Sequence, residues 1–261
     1  MYYPSKNLRL ISSALFFCLF VSLSLTAIPT AAESQESSSM KRSIGLNEQA
    51  LKALNSNNLE EAETLLREAI KIDPGNLTAA FNLAGVLVVN LKKDDAISIL
   101  KEYTSKYPKD AGLFVRLGDI TFSSENIKQS IEYYIKAFKL EPKYPRLAAK
   151  LGLVYALNQD LKESEKYLRK ATEQDPEDSE ALGNLSSVLL RKGAVKESIE
   201  FANRSIKIKP TAETYITLGS GFEASKKFKK AEVAFRKALE LGAKNKELEE
   251  KIQAISKLEQ K

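Results

Sequence analysis

The sequence KIDPGN, at residues 71–76, has the composition of a helix end. Pro74 lacks the amide proton that a helix interior requires, and Gly75 favours the turn that follows. The same stop recurs at a constant interval of 34 residues, at Pro74, Pro108, Pro142, Pro176 and Pro210. A constant interval predicts an architecture of equal units. Pro74 is therefore predicted to end a helix inside a repeat and not to mark a boundary between domains.

Other positions follow the same period. Small side chains stand twelve residues before each proline, as Ala62, Ala96, Ser130, Ser164 and Ser198. Larger apolar side chains predominate eight residues before it, as Leu66, Leu100, Tyr134, Leu168 and Ala202. Another small residue stands 24 residues before it, as Ala50, Ala84, Gly118, Gly152 and Ser186. Because small side chains let helix backbones approach closely, each unit is predicted to be a pair of antiparallel helices.

The end of the chain departs from the period in one respect. A sixth unit lacks the proline but keeps the small–large–small pattern, as Ala231, Phe235 and Ala238. The last stretch, residues 245–261, places apolar residues on one side of a helix, as Leu248, Ile252, Ile255 and Leu258. A stacked array leaves its final apolar face open, so this segment is predicted to be a capping helix.

The period, the Leu-Gly pairs and the two small positions resemble the tetratricopeptide repeat (TPR) family, although the early tryptophan common in that family is absent. The resemblance implies an all-α fold, a right-handed α-α superhelix (solenoid) of about six TPR helix pairs plus the C-terminal capping helix. The six repeats span residues 43–244, with predicted boundaries at 43–76, 77–110, 111–144, 145–178, 179–211 and 212–244. A polar stretch at 33–42 has the composition of a disordered linker.

The N-terminal segment differs from the repeats. Lys6 and Arg9 precede an uncharged apolar stretch at 10–28, and small residues follow it. This order predicts a secretory signal peptide over residues 1–32, cleaved after Ala32, with Ala31 as the second candidate. The alternative is an uncleaved anchor, since the stretch is long enough to span a bilayer. Either topology exports the repeats: they are periplasmic or secreted after cleavage, and otherwise anchored in the inner membrane facing away from the cytoplasm.

Composition disfavours an enzyme. Histidine is absent, and the single cysteine, Cys18, lies in the apolar N-terminal stretch, so the commonest general base and the usual zinc ligands are missing from the repeats. We expect no catalytic residue, cofactor or metal. The net charge of +6 is too small to indicate nucleic acid as a partner. The oligomeric state is not predicted.

The resemblance implies that first helices line an inner groove that holds a peptide or a partner protein. The column predicted to face this groove lies 26 residues before each proline and continues into the sixth unit, as Glu48, Asn82, Arg116, Lys150, Asn184 and Thr217. Phe81 and Arg146 should lie on the same side, and Asp119 stands one turn after Arg116. The predicted partner-binding groove therefore comprises Phe81, Asn82, Arg116, Asp119, Arg146, Lys150 and Asn184.

Two interpretations of this column remain. Asparagine donates to and accepts from a peptide backbone, and arginine fits carboxylate geometry, so the column suits an extended segment or its carboxylate. The carboxylate clamp of some family members is matched only by Asn82 and Arg116, because Asn47, Leu51 and Gly112 occupy its other places. Alternatively, Asp119 partly neutralises Arg116 and the column is simply solvated.

The sequence therefore predicts a non-catalytic protein-interaction scaffold that supports assembly of a cell-envelope complex. The alternative is an accessory subunit that delivers substrate to a separate envelope enzyme. The partner is another protein or an extended peptide, and a membrane contact is expected only through an uncleaved N-terminal segment.

Overall fold

The computed structural model describes residues 31–243 and 246–258. This part of the chain folds into helices and turns without a strand. Its helices are α1 Ala31–Asn55, α2 Leu59–Ile72, α3 Leu77–Val89, α4 Lys93–Lys106, α5 Ala111–Ser123, α6 Ile127–Leu140, α7 Leu147–Leu157, α8 Leu161–Gln174, α9 Ser179–Arg191, α10 Val195–Ile208, α11 Ala212–Ala224, α12 Phe228–Glu240 and α13 Lys246–Leu258.

Consecutive helices pack as pairs, and each pair packs on the next. Residues 39–261 form a compact unit separate from residues 1–38, and the contacts below lie within 39–261. Within it, α5 packs on α6, α7 on α8, α9 on α10 and α11 on α12, while α6 also contacts α7 and α10 contacts α11. The predicted all-α TPR solenoid is therefore confirmed.

The proline turns provide the caps that the sequence predicts. After α2, the Asp73 carboxylate accepts a hydrogen bond from the Gly75 amide at 2.9 Å. The Asn76 side chain then accepts one from the Ala79 amide, also at 2.9 Å, and so caps the start of α3. The KIDPGN segment thus ends one helix and begins the next within six residues.

The core depends on the small positions. A β-carbon added to Gly152 would lie 2.4 Å from Leu168, and one added to Gly219 would lie 2.4 Å from Phe235. Two buried serines of the other small column donate to the same backbone: Ser164 Oγ to the Gly152 carbonyl at 2.7 Å, and Ser130 Oγ to the Gly118 carbonyl at 3.0 Å. The repeat pattern therefore specifies which helix faces meet.

The C-terminal helix covers the last pair. Leu248, Ile252 and Ile255 of α13 are buried in one cluster with Phe235 and Ala238 of α12. This packing uses the apolar side that the sequence predicts for the cap. Removing water from that side stabilises the packing of α12 in the sixth repeat.

The N-terminal region differs from its predicted organisation. The expected linker at 33–42 is helical, because α1 begins at Ala31. Glu, Gln, Met, Lys and Arg in this stretch favour helices enough to outweigh its serines. The predicted signal or anchor over 1–32 lies, apart from its last two residues, outside the described residues. None of the described helices is long and apolar enough to cross a membrane.

Candidate functional site

The predicted groove residues lie in two adjoining hollows along the first helices of the repeats. A hollow of about 480 Å³ between α3 and α5 is lined by Phe81, Asn82, Arg116 and Asp119. A second, of about 340 Å³, lies among α5, α7 and α9, and is lined by Asp119, Arg146, Lys150 and Asn184. Since Asp119 lines both, the structure brings all seven residues together. Their role in binding stays a prediction.

Arg116 and Arg146 are both exposed cations of this groove, and they differ in their partners. The Arg116 guanidinium has no hydrogen-bond or ion-pair partner among the described residues. The direct Arg116–Asp119 pair that the second interpretation assumed is therefore not formed, and Lys150 and Tyr134 donate to Asp119 Oδ1 instead. Those partners come from α7 and α6, so the helix spacing that suggested an Arg116–Asp119 pair could not reveal them. That the column is simply solvated stays a prediction.

Asp119 is the centre of a small polar cluster. Lys150 Nζ donates to Asp119 Oδ1, and Tyr134 donates its hydroxyl proton to the same oxygen at 2.6 Å. Burial raises the pKa of Tyr134, and the hydrogen bond to Asp119 raises it further, so the phenol remains a neutral donor. Lys150 Nζ also lies 5.8 Å from the centre of the Tyr134 ring. The cluster thus joins three helices across the groove floor.

Asn82 is held by a residue that the sequence did not assign to the site. Its side-chain nitrogen donates to Asn47 Oδ1 at 2.7 Å, and Asn47 is buried in α1. Asn47 stands at a clamp position that holds a lysine in the clamp proteins, so the resemblance assigns it no role. In the structure it orients Asn82 toward the hollow, which only the contact between α1 and α3 reveals.

Arg146 lies in the groove but not in a helix. The 34-residue period would start α7 at position 145, whereas α7 starts at Leu147, and Arg146 before it has a left-handed backbone with φ of 59°. At the position equivalent to Tyr144, Asp110 and Asp178 cap α5 and α9 with a side-chain oxygen that accepts from a backbone amide. Tyr144 has no side-chain oxygen close enough to the backbone to do so. The delayed start follows from this missing cap.

The guanidinium of Arg146 binds the next repeat. Its Nη2 donates to Glu180 at 2.5 Å, and its Nε lies 3.7 Å from Asp178. The hydrogen bond to Glu180 and the charge of Asp178 raise the pKa of Arg146, so it remains cationic. Beside it, Tyr144, Lys170 and other residues line a hollow of about 690 Å³ at the α6–α7 turn, which the sequence did not predict.

The groove continues toward the C-terminus, where Glu180, Lys209 and Glu213 add charge. A hollow of about 340 Å³ between α9 and α11 is lined by Asn184, Gly183, Thr214 and Thr217. The predicted column thus extends to Thr217, whereas Glu48 at its other end is exposed on α1. Among the described residues, no group of histidine, cysteine, aspartate or glutamate side chains could hold a metal ion.

Comparison with known families assigns the fold to a class. Models described as tetratricopeptide repeat match residues 53–114, 115–179, 162–213 and 212–245. These matches together cover residues 53–245, which is most of the chain. The chain belongs to the tetratricopeptide repeat family.

Solved structures of other TPR proteins share the fold. PilF of Pseudomonas aeruginosa has a TM-score of 0.69 at 15% identity, over 84% of this chain and 98% of that one. YrrB, described as a TPR protein with an unusual peptide-binding site, has a TM-score of 0.63 at 19% identity, over 72% of this chain and 96% of its own. At such identities the likeness shows the fold alone.

A curated relative matches a shorter segment. Anaphase-promoting complex subunit 7 of Arabidopsis thaliana is 28% identical over 91 residues, which is 35% of this chain. The match spans 16% of that subunit's length. The TPR family and this relative together indicate a protein-interaction scaffold. The TPR fold is generally non-enzymatic.

Proposed function

We propose that the chain binds an extended segment of a partner protein along the first-helix groove, and that Arg116 engages a carboxylate of that segment. The observation that carries this proposal is an exposed guanidinium with no ionic partner among the described residues, beside an apolar wall. An arginine in this setting forms two parallel hydrogen bonds with a carboxylate, which gives orientation as well as affinity.

The apolar wall supplies the second part of the recognition. Val89 is 62% exposed at the rim of the α3–α5 hollow, and Phe81 and Ile120 line the same space. Burying such surface against a partner's apolar side chain is favourable, and the polar groups then fix its direction. The groove therefore suits a segment in which a carboxylate lies close to an apolar residue.

The other cations of the groove act differently. Lys150 and Arg146 are already paired with acidic residues, so a ligand carboxylate would have to displace Asp119 or Glu180. Exchanging one carboxylate for another stabilises the complex less than forming a new ion pair with an unpaired guanidinium does. Lys150 and Arg146 are therefore assigned to holding neighbouring repeats in register, and Arg116 to the ligand.

The test uses matched peptides. Extended peptides that contain an apolar residue next to a glutamate are compared with the same peptides carrying glutamine, and binding to the full chain is followed by fluorescence anisotropy. The glutamate peptides should bind more tightly, and Arg116→Gln should remove the difference. Lys101→Gln, which removes an exposed charge from α4, is the matched control. Equal binding of both peptide sets would reject Arg116 as the recognition residue.

We further propose that the chain is exported and supports assembly of a complex in the cell envelope. The support is the uncharged stretch at 10–28 with its basic start and small residues at the end. The mass of the protein recovered from a bacterial cell tests this. Loss of residues 1–32 would support export with cleavage, and an intact chain in the soluble cytoplasmic fraction would contradict export.

A further inference from the structure

Two columns of charge run along the second helices of the repeats. The second residue of each of α6, α8, α10 and α12 is a lysine: Lys128, Lys162, Lys196 and Lys229. Eight residues later in each helix stands another cation: Lys136, Lys170, Arg204 and Lys237. The two cations of a helix are about 12 Å apart along its axis. These eight residues are called the basic stripe.

The same two positions have the opposite charge in the first two repeats. In α2 and α4 they are occupied by acidic residues: Glu60 and Glu68, then Asp94 and Glu102. Equivalent positions of stacked repeats lie along one side of the array. At these two positions the second helices are therefore acidic over two repeats and basic over the next four, with Glu132 and Glu200 standing midway between the cations of α6 and α10.

Helix stability does not explain the lysines. The start of a helix carries a partial positive charge, so acidic residues are favoured there and lysines are disfavoured. Glu60 and Asp94 follow this rule. In α8 and α10, Glu163 and Glu197 stand next to the lysine, and α6 and α12 have no acidic residue in their first turn. A lysine at the same unfavourable position in four successive helices indicates a role outside the folding of each helix.

Most of the basic stripe is available to a partner, whereas Lys237 Nζ donates to Glu240 at 2.5 Å. Lys128, Lys162, Lys196 and Lys229 are exposed and have no hydrogen-bond or ion-pair partner among the described residues. In the second column, Lys170 Nζ lies 4.8 Å from the centre of the Phe138 ring and the Arg204 guanidinium 5.0 Å from that of Phe201. These rings hold the cations without neutralising them.

We propose that the basic stripe binds the anionic headgroups of a phospholipid membrane surface, with repeats 3–6 toward the lipid and repeats 1–2 away from it. Clusters of four to eight lysines or arginines bind anionic lipid by summed electrostatic attraction, which requires no pocket. The stripe has this number of cations, spread over four helices. An uncleaved stretch at 10–28, the alternative that the sequence leaves open, would hold the chain at a membrane.

A second copy of the chain is the weaker alternative. Its acidic repeats could pair with the basic stripe, but exposed ion pairs each contribute little to binding. A stable protein interface also needs a buried apolar core, which these lysine-rich faces do not provide. A lipid surface carries many charges at once and needs no such core.

The experiment follows lysine acylation of the full chain by a water-soluble reagent and mass spectrometry. The chain is mixed with vesicles of phosphatidylcholine alone or of phosphatidylcholine with phosphatidylglycerol. Phosphatidylglycerol should lower acylation of Lys128, Lys162, Lys196 and Lys229, and added salt should restore it. Acylation of four exposed lysines outside the stripe, Lys52, Lys71, Lys101 and Lys109, should stay unchanged.

Two variants complete the test. Changing the four helix-start lysines to glutamine should lower the excess partition into phosphatidylglycerol vesicles by about tenfold or more. Changing Lys52, Lys71, Lys101 and Lys109 to glutamine removes the same total charge and should leave that excess nearly intact. Equal losses in the two variants would mean attraction by net charge and would overturn the proposal. Salt-sensitive self-association that protects the stripe without vesicles, or no effect of phosphatidylglycerol, would also overturn it.

Discussion

The ring of Tyr134 on α6 lies directly against the backbone of Gly118 on α5: a β-carbon at Gly118 would be 2.4 Å from Tyr134 Cε1. The same tyrosine donates its hydroxyl proton to Asp119 at 2.6 Å. Helix packing in the third repeat thus fixes the position of a groove residue. The small column of the sequence and the polar cluster of the groove depend on the same side chain.

Gly118→Ala should destabilise the protein by about 1–3 kcal/mol, because the added methyl group forces the Tyr134 ring to move within a packed core. Urea unfolding followed by circular dichroism measures the change. Gly85→Ala in α3 is the control, since nothing lies within 4 Å of a β-carbon there. That control should gain about 0.5–1 kcal/mol from helix propensity. Equal effects of both substitutions would refute the close packing.

Leu91→Gly should stabilise the protein by about 0.5–1 kcal/mol. Leu91 joins α3 to α4 with a positive φ of 61° and is 85% exposed. Its left-handed backbone is strained, and the exposed side chain buries too little surface to offset that strain. Thermal and urea unfolding report the gain. Leu91→Ala removes the side chain but keeps the strain, so it should show no comparable gain. A larger gain in the alanine variant would assign the effect to the exposed side chain.

Glu165→Gln should cost about 1 kcal/mol at neutral pH. The hydrogen bond from Lys192 lowers the pKa of Glu165 in the folded protein, and Arg169 lowers it further against the effect of burial. A carboxylate whose pKa is lower in the folded than in the unfolded protein stabilises the fold at pH values above its unfolded pKa, which is about 4.3 for glutamate. This stabilisation is lost as the pH falls through the folded pKa.

The difference in unfolding free energy between wild type and Glu165→Gln should therefore shrink below about pH 4.3. Glu173→Gln is the control, because Glu173 is exposed and has no ion-pair partner among the described residues. A difference that does not depend on pH would argue against the ionic origin of the effect.

Ile252→Ala should destabilise the C-terminal end by about 2–4 kcal/mol, because Ile252 is buried between α13 and α12. Hydrogen exchange localises the effect, and the amides of α12 should lose protection before those of α5. Gln253→Ala alters the exposed side of the same helix and should change little. Protection of α12 that survives Ile252→Ala would show that the last repeat does not need this cap.

The sequence predicts the repeats because their packing is periodic. Small and large residues must alternate at fixed positions wherever two helices meet, so Gly152 and Leu168 are visible as a pattern before their contact is known. The groove column follows from the same period. A residue with positive φ joins the two helices of each pair, and the sequence does not predict it. Only one of these six positions holds a glycine, Gly193; the other five hold Asn57, Leu91, Glu125, Gln159 and Lys226.

The partners of the groove charges are not visible in the sequence. Asp119 stands one turn from Arg116 on α5, yet its carboxylate accepts from Lys150 of the next repeat and from Tyr134 on α6. Arg146 loses its helical position because Tyr144 replaces a capping residue. Such outcomes depend on contacts between repeats, which a period within one repeat does not specify.

The most direct test of groove binding is photo-crosslinking in the cell from two valines that are equally exposed. Val89 at the groove rim and Val233 on α12 are each 62% exposed, and each is replaced in turn by a photoreactive residue. We predict that position 89 crosslinks to a discrete partner and that Arg116→Gln abolishes this crosslink. Position 233 should not crosslink to that partner. The same partner from both positions, or a position-89 crosslink unaffected by Arg116→Gln, would contradict binding in the groove.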